Sequence, residues 1–277
     1  LSTASSGDLK KLDDQTRQLS ETYGVTRKSV KEMQSEFARV GFTIEQVTKA
    51  TQQASEFAIL GKVDTAQAER LVQILYQTGS TYEEVTDQLQ KFLLMDQKTN
   101  MNIKDTTAAM ADIYPTAKRF GASMSEIAAF MAGITQGGIE ASDAARVLNF
   151  ALNKTSTALA NMAQGDSGGR ARLKNLQEQL KATSELTGVN ISLFDKFGQM
   201  KKATALYSEL GLIWDKLGKI NTQKSIALKQ QLLNSLFGNE NSTQGSQFFD
   251  ALSKSLNQST VEGQDLAKAM NIATQQV

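Results

Sequence analysis

Apolar residues recur along most of this chain at intervals of three and four, the spacing that places side chains on one face of an α-helix. The interval is regular in a stripe made of Leu206, Leu210, Ile213 and Leu217. It also holds in three earlier groups: Leu71, Ile74 and Leu75; Ile127, Phe130, Met131 and Ile134; and Val147, Leu148, Ala151 and Leu152. Runs of β-branched and aromatic residues with period two are missing. The pattern therefore predicts an all-α protein.

Helix-start signatures divide the first half of the chain into short units. Each places an oxygen-bearing side chain where it can cap a helix, and four of them add Glu or Gln three residues later, as in a capping box. The four boxes are Thr43–Gln46, Asp64–Gln67, Ser80–Glu83 and Ser123–Glu126. Ser142 is a simple cap followed by Asp143, and Asn102–Asp105 is a weaker start. Successive starts lie 16 to 22 residues apart.

A glycine lies shortly before five of these starts, at Gly41, Gly61, Gly79, Gly121 and Gly138. Glycine adopts the left-handed conformation that closes a helix more easily than any other residue. We therefore predict an array of antiparallel helical hairpins, in which helices of roughly 14–18 residues must pack on one another to be stable. Pro115 lies within one unit and is expected either to kink a helix or to start one.

Three parts of the chain follow from these patterns. Residues 1–41 are polar and predict one or two amphipathic helices, and residues 42–164 form the hairpin array. The glycine cluster Gly165–Arg170 predicts a flexible linker and a boundary. Residues 165–277 then form a second helical bundle segment, with a further linker at Leu186–Met200.

Composition agrees with helix and restricts the chemistry. Only one of the 277 residues is proline, and the chain has neither Cys nor His, so disulfides, thiolate or imidazole metal sites and Ser-His-Asp triads are excluded. The formal net charge of +1 argues against a dedicated nucleic-acid surface. The longest apolar run, Ile127–Ile134, is too short to span a bilayer. The start at Leu1 suggests a fragment of a longer protein.

Possible catalytic or ligand motifs are weak. The Gly165–Arg170 segment lacks the Lys and Ser or Thr of a phosphate-binding loop, and no strand precedes it. The carboxylate pairs Asp13–Asp14 and Glu83–Glu84 are adjacent in sequence, so on a helix they point about 100° apart and do not converge. The sequence therefore predicts no enzyme, no cofactor and no metal.

The segment Arg119–Leu152 resembles the core region of phage tail tape-measure proteins. That family has a glycine, a small polar capping segment with Glu and an Ala-rich helix, then a Gly-Ile pair and a second Ala-rich helix. The matching positions here include Gly121, Ser123, Glu126, Gly138, Ile139, Ser142 and Leu148. The family commonly has a Gly-Thr pair where this chain has Ala144–Ala145, which leaves the helix-turn-helix interpretation unchanged.

Two later segments extend the resemblance over residues 42–252. The stretch Gly188–Leu217 is similar to the family's Asp, Gly and Leu-rich helix and includes Gly198, and Leu232–Leu252 is similar to its Phe-Gly stop at Phe237 and Gly238. The ten residues that carry the structural hairpin motif are thus Gly121, Ser123, Glu126, Gly138, Ile139, Ser142, Leu148, Gly198, Phe237 and Gly238.

The resemblance implies a structural protein that governs tail length and assembly and leaves the tail ahead of the DNA. It implies a place in the tail lumen of the virion, and in the host cytoplasm during assembly. The implied partners are tail-tube subunits, tip or baseplate-hub proteins, assembly chaperones and other copies of the chain, without sequence-specific nucleic-acid binding. Two alternatives remain: a helical scaffold or adaptor unrelated to phages, and a peptidoglycan-cleaving module.

Overall fold

A computed structural model describes residues 5–99, 101–163, 166–199, 201–256 and 261–274. Within them the chain forms thirteen α-helices joined by short connections, and the predicted all-α fold is confirmed. The helices are α1 (Ser6–Tyr23), α2 (Arg27–Arg39), α3 (Ile44–Leu60), α4 (Thr65–Gln77), α5 (Tyr82–Lys98), α6 (Ile103–Arg119), α7 (Met124–Gln136), α8 (Ala141–Ala163), α9 (Ser167–Thr187), α10 (Ala203–Ile220), α11 (Gln223–Phe237), α12 (Ser242–Ser255) and α13 (Val261–Thr274).

Most of the predicted helix starts are present. Thr43 and Ser123 each form the predicted capping box, and Asn102 caps α6 by accepting a hydrogen bond from the Asp105 backbone N–H. Asp64 caps α4, but its side chain accepts from the Ala66 N–H instead, and the predicted box with Gln67 is absent. Pro115 lies inside α6 and does not start it.

The predicted cap at Ser80 is wrong by one residue. The Ser80 N–H donates to the Leu75 carbonyl oxygen at 3.1 Å, a bond that closes the end of α4. Because Ser80 still belongs to the preceding helix terminus, Thr81 becomes the cap of α5 and forms the box with Glu84.

Four of the five glycines adopt the predicted left-handed conformation, with φ between +69° and +100°: Gly41, Gly79, Gly121 and Gly138. Gly61 does not, since its φ is −87° and the left-handed position falls on Lys62 instead. Gly61 is closely packed, with an added Cβ lying 3.0 Å from the Phe57 carbonyl oxygen. A side chain at residue 61 is therefore restricted by tight packing rather than by a positive φ.

Helix α7 lies at the centre of the molecule. Every residue from Ile127 to Ile134 is buried, as expected of a helix that is apolar on all sides. It contacts α5, α6, α8, α10, α12 and α13, so helices from both halves of the chain surround it. The buried apolar side chains form one continuous core that extends from Leu12 to Ala273.

The predicted linker between the two halves of the chain is partly helical. Ser167 to Arg170 form the first turn of α9 and are not a linker. Asp166 stabilises this turn, since its side chain accepts from the Gly168 N–H at 3.2 Å and its carbonyl oxygen accepts from the Arg170 N–H at 3.2 Å. The stripe on α10 is buried as predicted.

The predicted linker at Leu186–Met200 starts two residues too early, because Leu186 and Thr187 belong to α9. The rest lies in the α9–α10 connection, and Met200 lies outside the described residues. Two apolar helical residues, Leu9 on α1 and Ile226 on α11, are about half exposed. No helix in the described part of the chain has both the length and the apolar character required to cross a membrane.

Candidate functional site

The candidate site is centred on the corner between α7 and α8. Helix α7 ends with the Gly137 N–H donating to the Gly133 carbonyl oxygen at 3.2 Å and the Gly138 N–H donating to Thr135 at 3.0 Å. Gly138 then takes a φ of +100°, a conformation that L side chains rarely adopt. Ile139 is half-buried against the core and thus anchors the turn.

Helix α8 starts earlier than predicted. It begins at Ala141, and the Glu140 carbonyl oxygen accepts the first helical bond from the Ala144 N–H at 2.9 Å. Ser142 is therefore an exposed residue inside the first turn, and its predicted role as the cap is wrong. Ala141 and Ala144 are both buried and, three residues apart, lie on the same face of this helix, which begins ahead of Ser142.

Small residues on α7 allow α12 to approach closely. A Cβ built on Gly137 would lie 2.6 Å from the Ala251 Cβ, a separation that real Cβ atoms do not show. One turn earlier, the buried Ser255 hydroxyl donates to the Gly133 carbonyl oxygen and, at 2.9 Å, to that of Ala251. The corner is thus fixed by backbone contact with α12.

A second corner lies at the other end of α7. The Ser123 N–H donates to Glu126 Oε2 at 2.8 Å, and the Glu126 N–H donates to Ser123 Oγ at 3.1 Å. Glu126 Oε1 also accepts from Lys202 Nζ at 3.0 Å. Burial opposes ionisation of Glu126, but the Ser123 N–H and Lys202 outweigh it, so the pKa of the carboxyl is lowered. Gly121 precedes the box with a φ of +69°.

Each corner opens into a cleft. The first, here called the α6–α7 cleft, encloses about 420 Å³, with Gly121 and Ser123 at its wall beside the charged residues Glu84, Asp87 and Lys118. The second, the α7–α8 cleft, encloses about 330 Å³. Gly138 and Ile139 line it on one side, and α12 lines it on the other through Ala251.

Comparison with known proteins identifies the family. A family model described as phage-related minor tail protein matches residues 13–238, which is most of the chain. The chain belongs to this family. It therefore has a structural role in a phage tail. No curated protein and no solved structure matches the chain.

The remaining motif residues of this tail protein lie away from the two corners. Leu148 is buried in the core on α8, and Gly198 lies in the α9–α10 connection with a φ of +77°. Phe237 ends α11 as predicted, and Gly238 follows it with a φ of +78°. Phe237 is fully buried and contacts the rings of Phe248 and Phe249 on α12 at centroid distances of 6.2 and 5.6 Å.

Sequence reasoning missed three glycines that are needed for close approach. Besides Gly137, they are Gly211, where a Cβ would lie 2.8 Å from Leu252 Cγ, and Gly245, where it would lie 2.3 Å from the Phe237 ring. For Gly211 and Gly245 a signal was present, because an isolated glycine inside a good helical pattern often has a packing reason. The partner in each contact could not be read from the pattern.

One carboxyl group in the tail protein has a strongly shifted pKa. Glu69 on α4 is half-buried, and this burial, together with the negative charges of Glu36 and Glu32, raises its pKa to about 7 against the opposing effect of Arg39. The family supports a role without catalysis. The raised pKa makes the stability of the fold depend on the ionisation of Glu69.

Proposed function

We propose that this tail protein is a region of a tape-measure protein and that it acts as a compact module for assembly or ejection. In this function it lies in the tail lumen, assembles in the host cytoplasm and leaves the tail ahead of the DNA. Its partners are tail-tube subunits, tip or baseplate-hub proteins, tail assembly chaperones and further copies of itself. The measuring length then resides in other parts of the parent protein.

The observation that carries the proposal is that the chain folds back on itself. The longest helix, α8, has 23 residues and so spans about 35 Å at the helical rise of ~1.5 Å per residue. A straight helix of the whole chain would span about 415 Å. A ruler requires an unbroken apolar period over many heptads. Here the connections reverse the chain about every twenty residues, which supports a folded module.

Substitutions that keep the chain length test this function in the parent phage. Gly137→Ala places a Cβ against Ala251 and should disrupt the corner, whereas Gly168→Ala lies in the exposed first turn of α9 and serves as the matched control. A module predicts that Gly137→Ala lowers the yield of complete tails while Gly168→Ala does not. If Gly137→Ala destabilised the protein but the phage still produced a normal yield of tails, the proposal that the region acts as a folded module would be overturned.

Deletion of Phe42–Leu152 tests the ruler directly, with tails measured by electron microscopy. The module predicts either no tails or tails of nearly normal length. Viable tails shortened by about 165 Å, the helical length of the 111 deleted residues at ~1.5 Å each, would show that the segment is part of the ruler.

A further inference from the structure

The connection between α9 and α10 forms a closed, projecting turn. The Lys201 N–H donates to the Leu193 carbonyl oxygen at 3.0 Å, and the Asp195 N–H donates to that of Gln199 at 2.7 Å. The Gly198 N–H closes the tip by donating to the Asp195 carbonyl oxygen at 3.1 Å. These bonds give the turn a defined backbone rather than that of a flexible linker.

An aromatic side chain is displayed at the tip of this turn. Phe197 is 76 % exposed, more than any other large apolar side chain in the described residues. Asp195 Oδ1 fixes its backbone by accepting from the Phe197 N–H at 2.8 Å and from the Gln199 N–H at 2.9 Å. Lys196 Nζ lies 5.0 Å from the centroid of the Phe197 ring. The tip therefore presents an apolar ring and a cation together, on a backbone that requires little further ordering to bind.

The base of the turn is held firmly against the body of the protein. Leu193 is buried, Lys201 forms an ion pair with Glu209 on α10 at 2.6 Å, and Lys202 forms the 3.0 Å pair with Glu126 on α7. Through Lys202 the base lies at the first turn of α7.

The α7–α8 cleft has the features that such a tip requires. Ile139, Val147 and Phe248 supply an apolar lining, while the acidic residues Glu140, Asp143 and Asp250 and a single cation, Lys254, supply the charged groups. Its volume of about 330 Å³ is at the lower end of the ~300–1,000 Å³ of pockets that take small ligands, which is sufficient for a benzyl side chain. Asp143 is paired with Arg146 at 2.7 Å and Asp250 accepts from Trp214 Nε1 at 2.7 Å, so the exposed Glu140 is the carboxylate that complements Lys196.

The tip's base and the cleft lie at opposite ends of α7. The base pairs with Glu126 in the first turn of the helix, and the cleft begins at Gly137, directly after its last residue. Thirteen residues of helix separate the ends by about 18 Å at ~1.5 Å per residue. An insertion of Phe197 into a cleft is therefore a contact between two copies of the chain.

We propose that the chain self-associates head to tail, with Phe197 of one copy in the α7–α8 cleft of the next and Lys196 facing the cleft carboxylates. Because the two surfaces differ, each copy keeps one free tip or one free cleft, and association continues until a ring closes or a filament forms. The inference builds on the self-association included in the proposed function. It is tested on the isolated chain, so either can fail while the other stands.

Sedimentation velocity of the 277-residue chain over a range of concentrations is the first test. The wild-type chain should form oligomers, and Phe197→Ser should weaken each contact by about tenfold or more, as truncation of an aromatic anchor does. Leu212→Ser, which removes another exposed apolar side chain from α10, is the matched control and should leave association unchanged. Circular dichroism should show that both variants remain folded.

Charge exchange tests the pairing of the two surfaces. Lys196→Glu and Glu140→Lys should each weaken association, and a chain that carries both substitutions should regain it. A mixture of Phe197→Ser with Glu140→Lys should stop at a dimer, because only the intact tip of the second variant and the intact cleft of the first can meet. A wild-type monomer at every concentration, wild-type association of Phe197→Ser, or no recovery in the double variant would each overturn the proposal.

Discussion

Gly137 at the end of α7 lies against Ala251 of α12 so closely that no side chain fits between them. A Cβ atom on Gly137 would lie 2.6 Å from the Ala251 Cβ and 2.8 Å from its carbonyl oxygen. The two residues are 114 positions apart in the sequence, and their contact joins the α7–α8 corner to the second half of the chain.

Gly137→Ala should destabilise the fold, because the added methyl group requires α7 and α12 to separate. Overpacking of this kind typically costs about 1–3 kcal/mol. The Gly168→Ala control should be neutral or slightly stabilising, since alanine favours helix and a Cβ there meets only the Asp166 side chain. Urea unfolding followed by circular dichroism measures both. Equal midpoints for the two variants would contradict the close contact.

Gly138→Val should lower the melting temperature more than Gly168→Val. Gly138 has a φ of +100° with open space around its Cα, so the loss comes from backbone strain rather than from a clash. A β-branched residue is a strong outlier at this φ, and strain of this type costs about 1–3 kcal/mol. Gly168 lies in the first turn of α9, where valine has a higher helix propensity than glycine and a Cβ meets only the Asp166 side chain. Indistinguishable thermal scans would show that the positive φ is not required.

Glu126→Gln should remove a pH-dependent part of the stability. The folded state lowers the pKa of Glu126, so its contribution is fully present above the ordinary carboxyl pKa of 4.5 and is lost as pH falls through the lower folded value. The free energy of unfolding should therefore fall more steeply with decreasing pH in the wild type than in the variant. The control is Lys202→Met, which breaks the same 3.0 Å pair from the other side and should reduce the steepness in part. Identical acid transitions in all three chains would exclude a role for this carboxylate.

The effect of Glu69→Gln on stability should depend on pH in the direction opposite to that of Glu126→Gln. Burial raises the pKa of Glu69 from 4.5 to about 7, so the wild type is favoured below the unfolded pKa and loses this stability as pH rises through about 7. The variant should then match the wild type at about pH 4 and melt at a higher temperature at about pH 8. Glu178→Gln removes an exposed carboxylate from α9 and controls for net charge. If the melting temperatures of the wild type and of Glu69→Gln differed by the same amount at both pH values, the raised pKa of Glu69 would be ruled out.

The sequence by itself determined the helical units of this tail protein and most of their ends. Capping boxes at Thr43 and Ser123 and the glycine turn at Gly138 depend on bonds within three or four residues, so the local pattern contains the necessary information. The same local rules failed by one or two positions at Ser80 and Ser142. At these sites a neighbouring helix end or a buried alanine face competed with the cap and prevailed.

The tertiary structure alone decided which helices meet around α7. The apolar spacing shows that a helix has a buried face but does not identify the helix that covers it, because many amphipathic faces in this chain are alike in period and composition. The contact of Gly137 with Ala251, the pair formed by Lys202 and Glu126, and the packing of α13 on α7 all join distant parts of the sequence. The sequence likewise did not determine that Phe197 is exposed, because its sequence context is ordinary for an apolar residue. The folded turn at Asp195 directs this side chain into solvent.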